Sequence, residues 1–328
     1  MIDALTTNHN VPRYRIVLGF LAIYLIWGST YLAIRFTVES IPAVLSAAAR
    51  FLTGGTLLYL YARSRGAVQA SKLQWRNTSI TGVLLVAGGT GIVTWAEQYV
   101  PSGLAALMVA AMPFWMVLIE WLRRDGVRPT LSVVLGLIVG FIGIVILIGP
   151  VHLVATGDMT MIGTLSILIA TLCWASGSIY SRHIDLPESK LQSVGMQMLA
   201  GGAVLLVLGI ATGELPRVDF GAMTLKSIGG LAYLTVIGSL AFAAYVWLLK
   251  VSTPAKVATY AFVNPVVAVF LGWLLGGEVI TTRTIVAAAI ITSAVAFITI
   301  YKNKKHTQSV AAAPKASSAA LNTCANEQ

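Results

Sequence analysis

Charge is scarce in this sequence. Only 10% of the 328 residues are charged, 57% are hydrophobic, and the mean hydropathy is +0.83. Soluble domains carry about 25% charged and roughly 45–50% apolar residues. A chain this apolar could not cover its exterior in water, which excludes a soluble enzyme and a disordered scaffold. Cysteine is nearly absent. Cys173 lies in an apolar run and Cys324 in the C-terminal tail, so there is no disulfide framework and no metal-ligand spacing. The four histidines, His9, His152, His183 and His306, fall in loops or tails, which excludes a histidine proton relay inside a membrane. No Walker-type glycine-rich loop is present, so ATP is not the direct energy source. The net charge of +10 is read as loop charge facing the cytoplasm, not as a nucleic-acid footprint.

What the sequence does have is long greasy runs. About 20 apolar residues cross the hydrocarbon core as a helix. Ten stretches qualify: 16–34, 43–62, 79–99, 102–122, 131–149, 161–181, 191–211, 228–249, 256–276 and 283–301. They are continuously apolar, which excludes the alternation of a membrane β-barrel. Counted over alternating loops, Lys and Arg divide 17 to 4, which predicts both termini on the cytoplasmic side. The first run is of spanning length and has no cleavage pattern, so no signal peptide is expected.

The sequence also repeats itself. A shift of 147 places Trp27 on Trp174, Arg35 on Arg182, Arg50 on Gln197, and Gly54-Gly55 on Gly201-Gly202. A shift of 152 places Trp95 on Trp247 and Pro113 on Pro265. The expected organisation is an N-terminal tail (1–15), a first repeat (16–150), a second repeat (160–301) and a disordered cytoplasmic tail (302–328). Five spans per unit is an odd number, so the second copy enters from the opposite side. The predicted fold class is an all-α membrane protein of ten transmembrane helices, arranged as two inverted five-helix repeats. That arrangement suits secondary transport.

Several motifs resemble a known family. They are Ile26-Trp27-Gly28-Ser29-Thr30-Tyr31, Arg50-Phe51-Leu52, Val100-Pro101-Ser102-Gly103, Trp174-Ala175-Ser176-Gly177-Ser178, Asn264-Pro265-Val266-Val267-Ala268-Val269 and Gly276-Gly277-Glu278. Through them the chain resembles the drug/metabolite transporter superfamily, in its EamA family, and within it the YedA-like inner-membrane transporters. The resemblance implies a multi-pass protein of a bacterial inner membrane that exports small metabolites, amino acids or drugs, with no cofactor. An acidic residue usually follows the fourth span in this family. Here that place reads Arg124-Asp125-Gly126, whereas Glu278 follows the ninth span.

Candidate site residues follow from what a bilayer penalises. Pro113 and Pro265 fall near mid-depth of the fourth and ninth spans, where a proline frees a carbonyl and bends the helix. The alternative is a bend for packing alone. Asn264 needs a hydrogen-bond partner there. Trp27, Tyr31, Trp95, Trp115, Trp174, Tyr245 and Tyr260 lie within spans and either line a wet chamber or pack in the core. Gln98 and Gln197 add neutral polarity. Trp121 and Trp273, near helix ends, are expected at the interface. Arg50 and Glu97 are the costly charges. They are candidates for a gate or proton-coupling pair, or for a static bridge. Glu120 pairs with Arg123 and Arg124 at the surface.

The leading reading is a secondary active exporter of a small-molecule substrate, working by alternating access and coupled to protons through a carboxylate. The alternatives are an uncoupled facilitator or channel and, remotely, a membrane-embedded transferase. The catalytic carboxylate or histidine cluster of a transferase is missing. The expected partners are substrate and the lipid bilayer. Monomer and weak homodimer are both compatible with the small-residue stripes at Gly136, Gly140 and Gly143 and at Ala289 and Ser293.

Overall fold

A computed structural model describes residues 12–123, 128–154, 158–252, 257 and 259–312. Long apolar runs give helices here because every backbone polar group must be satisfied within its own segment. The helices are α1 (Arg13–Val38), α2 (Ala43–Ser64), α3 (Lys72–Ala96), α4 (Ser102–Leu122), α5 (Leu131–Val154), α6 (Asp158–Tyr180), α7 (Lys190–Ala211), α8 (Leu225–Val251), α9 (Tyr260–Gly276) and α10 (Thr282–Ala312). A short 3-10 turn, Leu215–Arg217, precedes α8. Among the described residues there is no strand.

Six helices, α1 to α4, α6 and α7, are long and apolar enough to cross a membrane. The apolar stretches Leu131–Leu147, Leu225–Ala241, Val263–Gly276 and Thr282–Phe297 are shorter than that threshold. Polar caps set several starts. Ser71 and Gln74 form a reciprocal capping box ahead of α3, and Ser189 and Thr224 cap α7 and α8. The last helix continues to Ala312, beyond position 302 where a disordered tail was expected; residues 313–328 lie outside the described residues.

Two helices depart from regular geometry. Val83–Gly91 of α3 is π-helical, with Gly88, Gly89 and Gly91 in it. A Cβ on Gly88 would lie 3.1 Å from Cys173 Cβ of α6, so the segment admits a close neighbour. In α4 the α-helical pattern breaks at Ala110–Ala111 and resumes at Met112, directly before Pro113. Pro265 instead sits inside unbroken α9, so the two matched prolines have different consequences.

Packing follows the duplication. α1 packs on α8 and α9, as α6 packs on α3 and α4. α2 packs on α7, α4 on α9 and α5 on α10. Exchanging the first five helices for the last five turns this set of pairs into itself. The α2–α7 crossing fixes a direction as well. Glycine positions on one helix meet the other at Leu45 with Gly209, Leu52 with Gly202, Gly55 with Leu199, and Tyr59 with Gly195. Each step forward on α2 is a step backward on α7, so the two run antiparallel. The same reading makes α1 antiparallel to α8 (Gly19 with Leu248, Thr37 with Gly230) and parallel to α9 (Gly28 with Val267, Leu32 with Gly276).

The largest buried cluster centres on α4, from Ala105 to Val117, and takes in Ile144 of α5, Ile167 of α6 and Ile291 of α10. The ring of Phe114 occupies the space a Cβ on Gly140 would need. A second cluster joins Ile23, Leu248 and Val257. Large apolar side chains remain exposed on the outside, among them Leu21, Leu25, Ile142 and Val145, as a lipid-facing surface requires.

Candidate functional site

Trp27, Tyr31 and Arg35 recur every four residues on α1 and so share one face. Trp27 stacks in a tilted arrangement on Tyr245 of α8, with centroids 5.2 Å apart, and edge-on against Tyr260 of α9 at 4.9 Å. Tyr245 and Tyr260 meet edge-on at 6.0 Å, which closes a three-ring cluster. One residue on, Gly28 lets α9 approach closely: a Cβ there would lie 2.6 Å from Val267 Cβ and 3.2 Å from the Asn264 carbonyl oxygen. Asn264 is 8% exposed, and its Oδ1 is buried without a hydrogen-bond partner. The missing N–H of Pro265 adds an unclaimed backbone acceptor one turn earlier.

Further along the same face, the Arg35 guanidinium donates to the backbone oxygen of Glu97 at 3.0 Å. Glu97 follows the last turn of α3 and is completely buried. Neither of its carboxylate oxygens has a hydrogen-bond partner. Tyr31, Arg35, Arg50 and Glu278 are the ionisable groups that act on it through space. Burying a carboxylate without partners costs several kcal/mol. This is the least satisfied charged group among the described residues.

The anticipated bridge between Arg50 and Glu97 is not made. Among the described residues the ion pairs are Glu120–Arg123 (3.5 Å), as expected, and Glu39–Lys226 (2.8 Å). Arg50 lies over the Phe51 ring at 4.8 Å and borders a small cavity with Thr37, Ser46 and Thr94. Helical rise gives the depth of a side chain but not its azimuth, and Arg35 on α1 holds the Glu97 backbone instead.

The other candidates are dispersed. Trp95 meets Tyr99 edge-on at 5.3 Å, and Gln98 turns back to the Trp95 carbonyl at 3.0 Å. Gln197 bonds Ser193 within α7, and its backbone presses on Gly82 of α3. Trp174 packs beside Gly89 against the α4-centred core. Trp115 donates from Nε1 to Thr171 Oγ1 at 3.0 Å and so ties α4 to α6. Trp121 and Trp273 are exposed, as interface residues would be.

Two acids outside the candidate site set hold the frame. Glu278 accepts from the Ser102 amide and hydroxyl at 2.7 Å each and from the Gly103 amide at 3.0 Å. Glu214 accepts from the Val44 and Leu45 amides at 3.3 and 2.9 Å. Each carboxylate sits on the positive N-terminal end of a helix, α4 and α2 respectively. Each follows a glycine of positive φ, Gly277 (66°) and Gly213 (72°), which ends the preceding helix. That Gly-Glu pair after a long apolar run was the available sequence signal. The corresponding Arg124-Asp125-Gly126 lies outside the described residues. No group of three or more His, Cys, Asp or Glu side chains suited to a metal occurs among the described residues.

Comparison with known proteins matches this architecture. Residues 14–149 and 161–300 each match the EamA-like transporter family. The "uncharacterized inner membrane transporter YedA" of Escherichia coli K12 is 37% identical over 286 residues, covering 86% of this chain and 89% of that protein. The "uncharacterized transporter YoaV" of Bacillus subtilis 168 is 25% identical, covering 84% and 94%. Protein PecM of Dickeya dadantii is 27% identical, covering 83% and 88%. A solved crystal structure aligns with a TM-score of 0.59 over 88% of this chain and 98% of its own, at 21% identity, which shows likeness of fold alone. A multi-pass membrane protein rather than an enzyme, the chain belongs to the EamA-like transporter family.

Proposed function

We propose that this protein is a secondary active exporter of a bacterial inner membrane, with two inverted five-helix repeats, ten spans and both termini in the cytoplasm. The observation that carries the reading is the antiparallel α2–α7 crossing. These helices occupy equivalent places in the two halves and run in opposite directions, as inverted repeats require. Two halves that exchange places give inward-open and outward-open states of similar energy. Substrate sits along the α1 face from Trp27 to Tyr31, with Asn264 as a polar anchor and the aromatic trio as an apolar wall. The substrate is a small metabolite, amino acid or amphipathic drug. Glu97, buried and unpartnered beside Arg35 and Arg50, carries the coupling proton.

The test uses purified protein in proteoliposomes with a substrate found by thermal-shift screening. Wild type shows saturable counterflow and accumulates substrate when a pH gradient is imposed. Glu97→Gln keeps counterflow and loses the gradient-driven accumulation. Flux that rises linearly with concentration, without counterflow, would replace the carrier by an uncoupled facilitator. Undiminished accumulation in Glu97→Gln would remove Glu97 from coupling.

A further inference from the structure

The larger of the two described cavities lies away from the α1 face. It is a cleft between the first turns of α4 and α6, the outer part of α5, and the α9–α10 link. Its walls are apolar, built by Leu104, Leu147, Met161, Leu165 and Val269. Met161 and Leu165 are 42% and 47% exposed, so the trough continues onto the lipid-facing side of α6. Its rim is polar, with Arg283 in the first turn of α10 and the hydroxyl groups of Thr160, Thr281 and Thr284.

Arg283 is the single cation among the described lining residues, and it takes part in neither described ion pair. Glu278 also borders the cleft, but its carboxylate is engaged by Ser102 and Gly103 at the positive end of α4. Its charge is therefore turned toward that helix and balanced there. The cleft combines an apolar trough, open to lipid along α6, with one unpaired guanidinium at its mouth. A guanidinium pairs with phosphate through parallel N–H donors.

We propose that this cleft is a phospholipid site, with the phosphate of the headgroup on Arg283 and one acyl chain in the trough of Leu104, Leu147 and Leu165. The bound lipid adds a further tie among α4, α6 and the α9–α10 link, beside the direct Glu278–Ser102 contact. The proposal requires only that the chain resides in a bilayer, so it stands or falls separately from the transport reading.

The experiment is native mass spectrometry of the full chain, delipidated in detergent and titrated with phosphatidylglycerol or with diacylglycerol of matched chains. Wild type is expected to retain one phosphatidylglycerol per chain and to bind diacylglycerol at least tenfold more weakly. Arg283→Gln should lose about tenfold in phospholipid affinity, the size of one charge-assisted contact, and Arg283→Lys should recover most of it. Leu165→Trp, which fills the trough, should lower retention with the arginine intact, and serves if the Arg283 variants do not fold. Equal binding of the two lipids, or unchanged affinity in both Arg283→Gln and Leu165→Trp, overturns the site. Protection by inorganic phosphate as strong as by phosphatidylglycerol overturns it too, because the trough would then contribute nothing.

Discussion

Replacing Gly82 with alanine places a methyl group 2.3 Å from the Gln197 carbonyl oxygen, on a helix backbone that cannot rotate away. The facing substitution, Gly201→Ala, places one 2.6 Å from the Gly82 carbonyl oxygen and 2.5 Å from Val86 Cβ. Ordinary contact requires about 3.4–4 Å, so α3 and α7 must part by roughly 1 Å at this crossing. Overpacking of this kind costs about 1–3 kcal/mol, occasionally more. Alanine returns about 1 kcal/mol of helix propensity, which leaves a net loss of up to about 2 kcal/mol for each variant. At about 2–4 °C per kcal/mol, thermal unfolding in detergent should fall by up to roughly 8 °C. Gly229→Ala in α8, where a Cβ would meet nothing within 4 Å, is the control and should be neutral or slightly stabilising. Because the first methyl already separates the helices, the double variant should cost little more than the worse single one. Strict additivity, or a Gly82→Ala as mild as Gly229→Ala, would refute the close crossing.

Other expectations are as direct. Asn264→Ala removes a buried acceptor that has no partner, so it should hold or raise the melting temperature while abolishing ligand-induced stabilisation; an acceptor left unmade costs about 1–3 kcal/mol. Glu278→Gln should destabilise by about 1–2 kcal/mol through the lost charge at the α4 N-terminus, read by the same thermal assay, and Glu214→Gln should behave alike at α2. Trp115→Phe, which loses the bond to Thr171, should cost about 1 kcal/mol beyond the lost ring area, whereas Trp121→Phe on the exposed surface should not register.

Much of the fold was legible because a bilayer dictates long apolar helices, and the repeat spacing alone singles out Trp27 and the Gly-Gly pairs. In the aromatic trio only Trp27 carried the repeat signal; Tyr245 and Tyr260 stood out solely as aromatics within spans. Whether Arg50 and Glu97 meet was not legible because helical rise gives height alone, and it is Arg35 of α1 that reaches the Glu97 backbone. The Gly-Glu pairs mark Glu214 and Glu278 locally, but the amides they hold lie about 170 residues away, a distance over which no local pattern speaks. The unequal effects of Pro113 and Pro265 depend on neighbours, not on the prolines. So does the π segment at Gly88-Gly89.

Both carboxylate clamps are carried by the second half and used by the first. At the position matching Glu214 the first half has Ala67, so two copies of the first half would leave the α2 amides bare. Among the described residues the dependence runs one way, from helix starts in the first half to carboxylates of the second. Expressed as separate pieces, the first half should fold only when the second is made beside it.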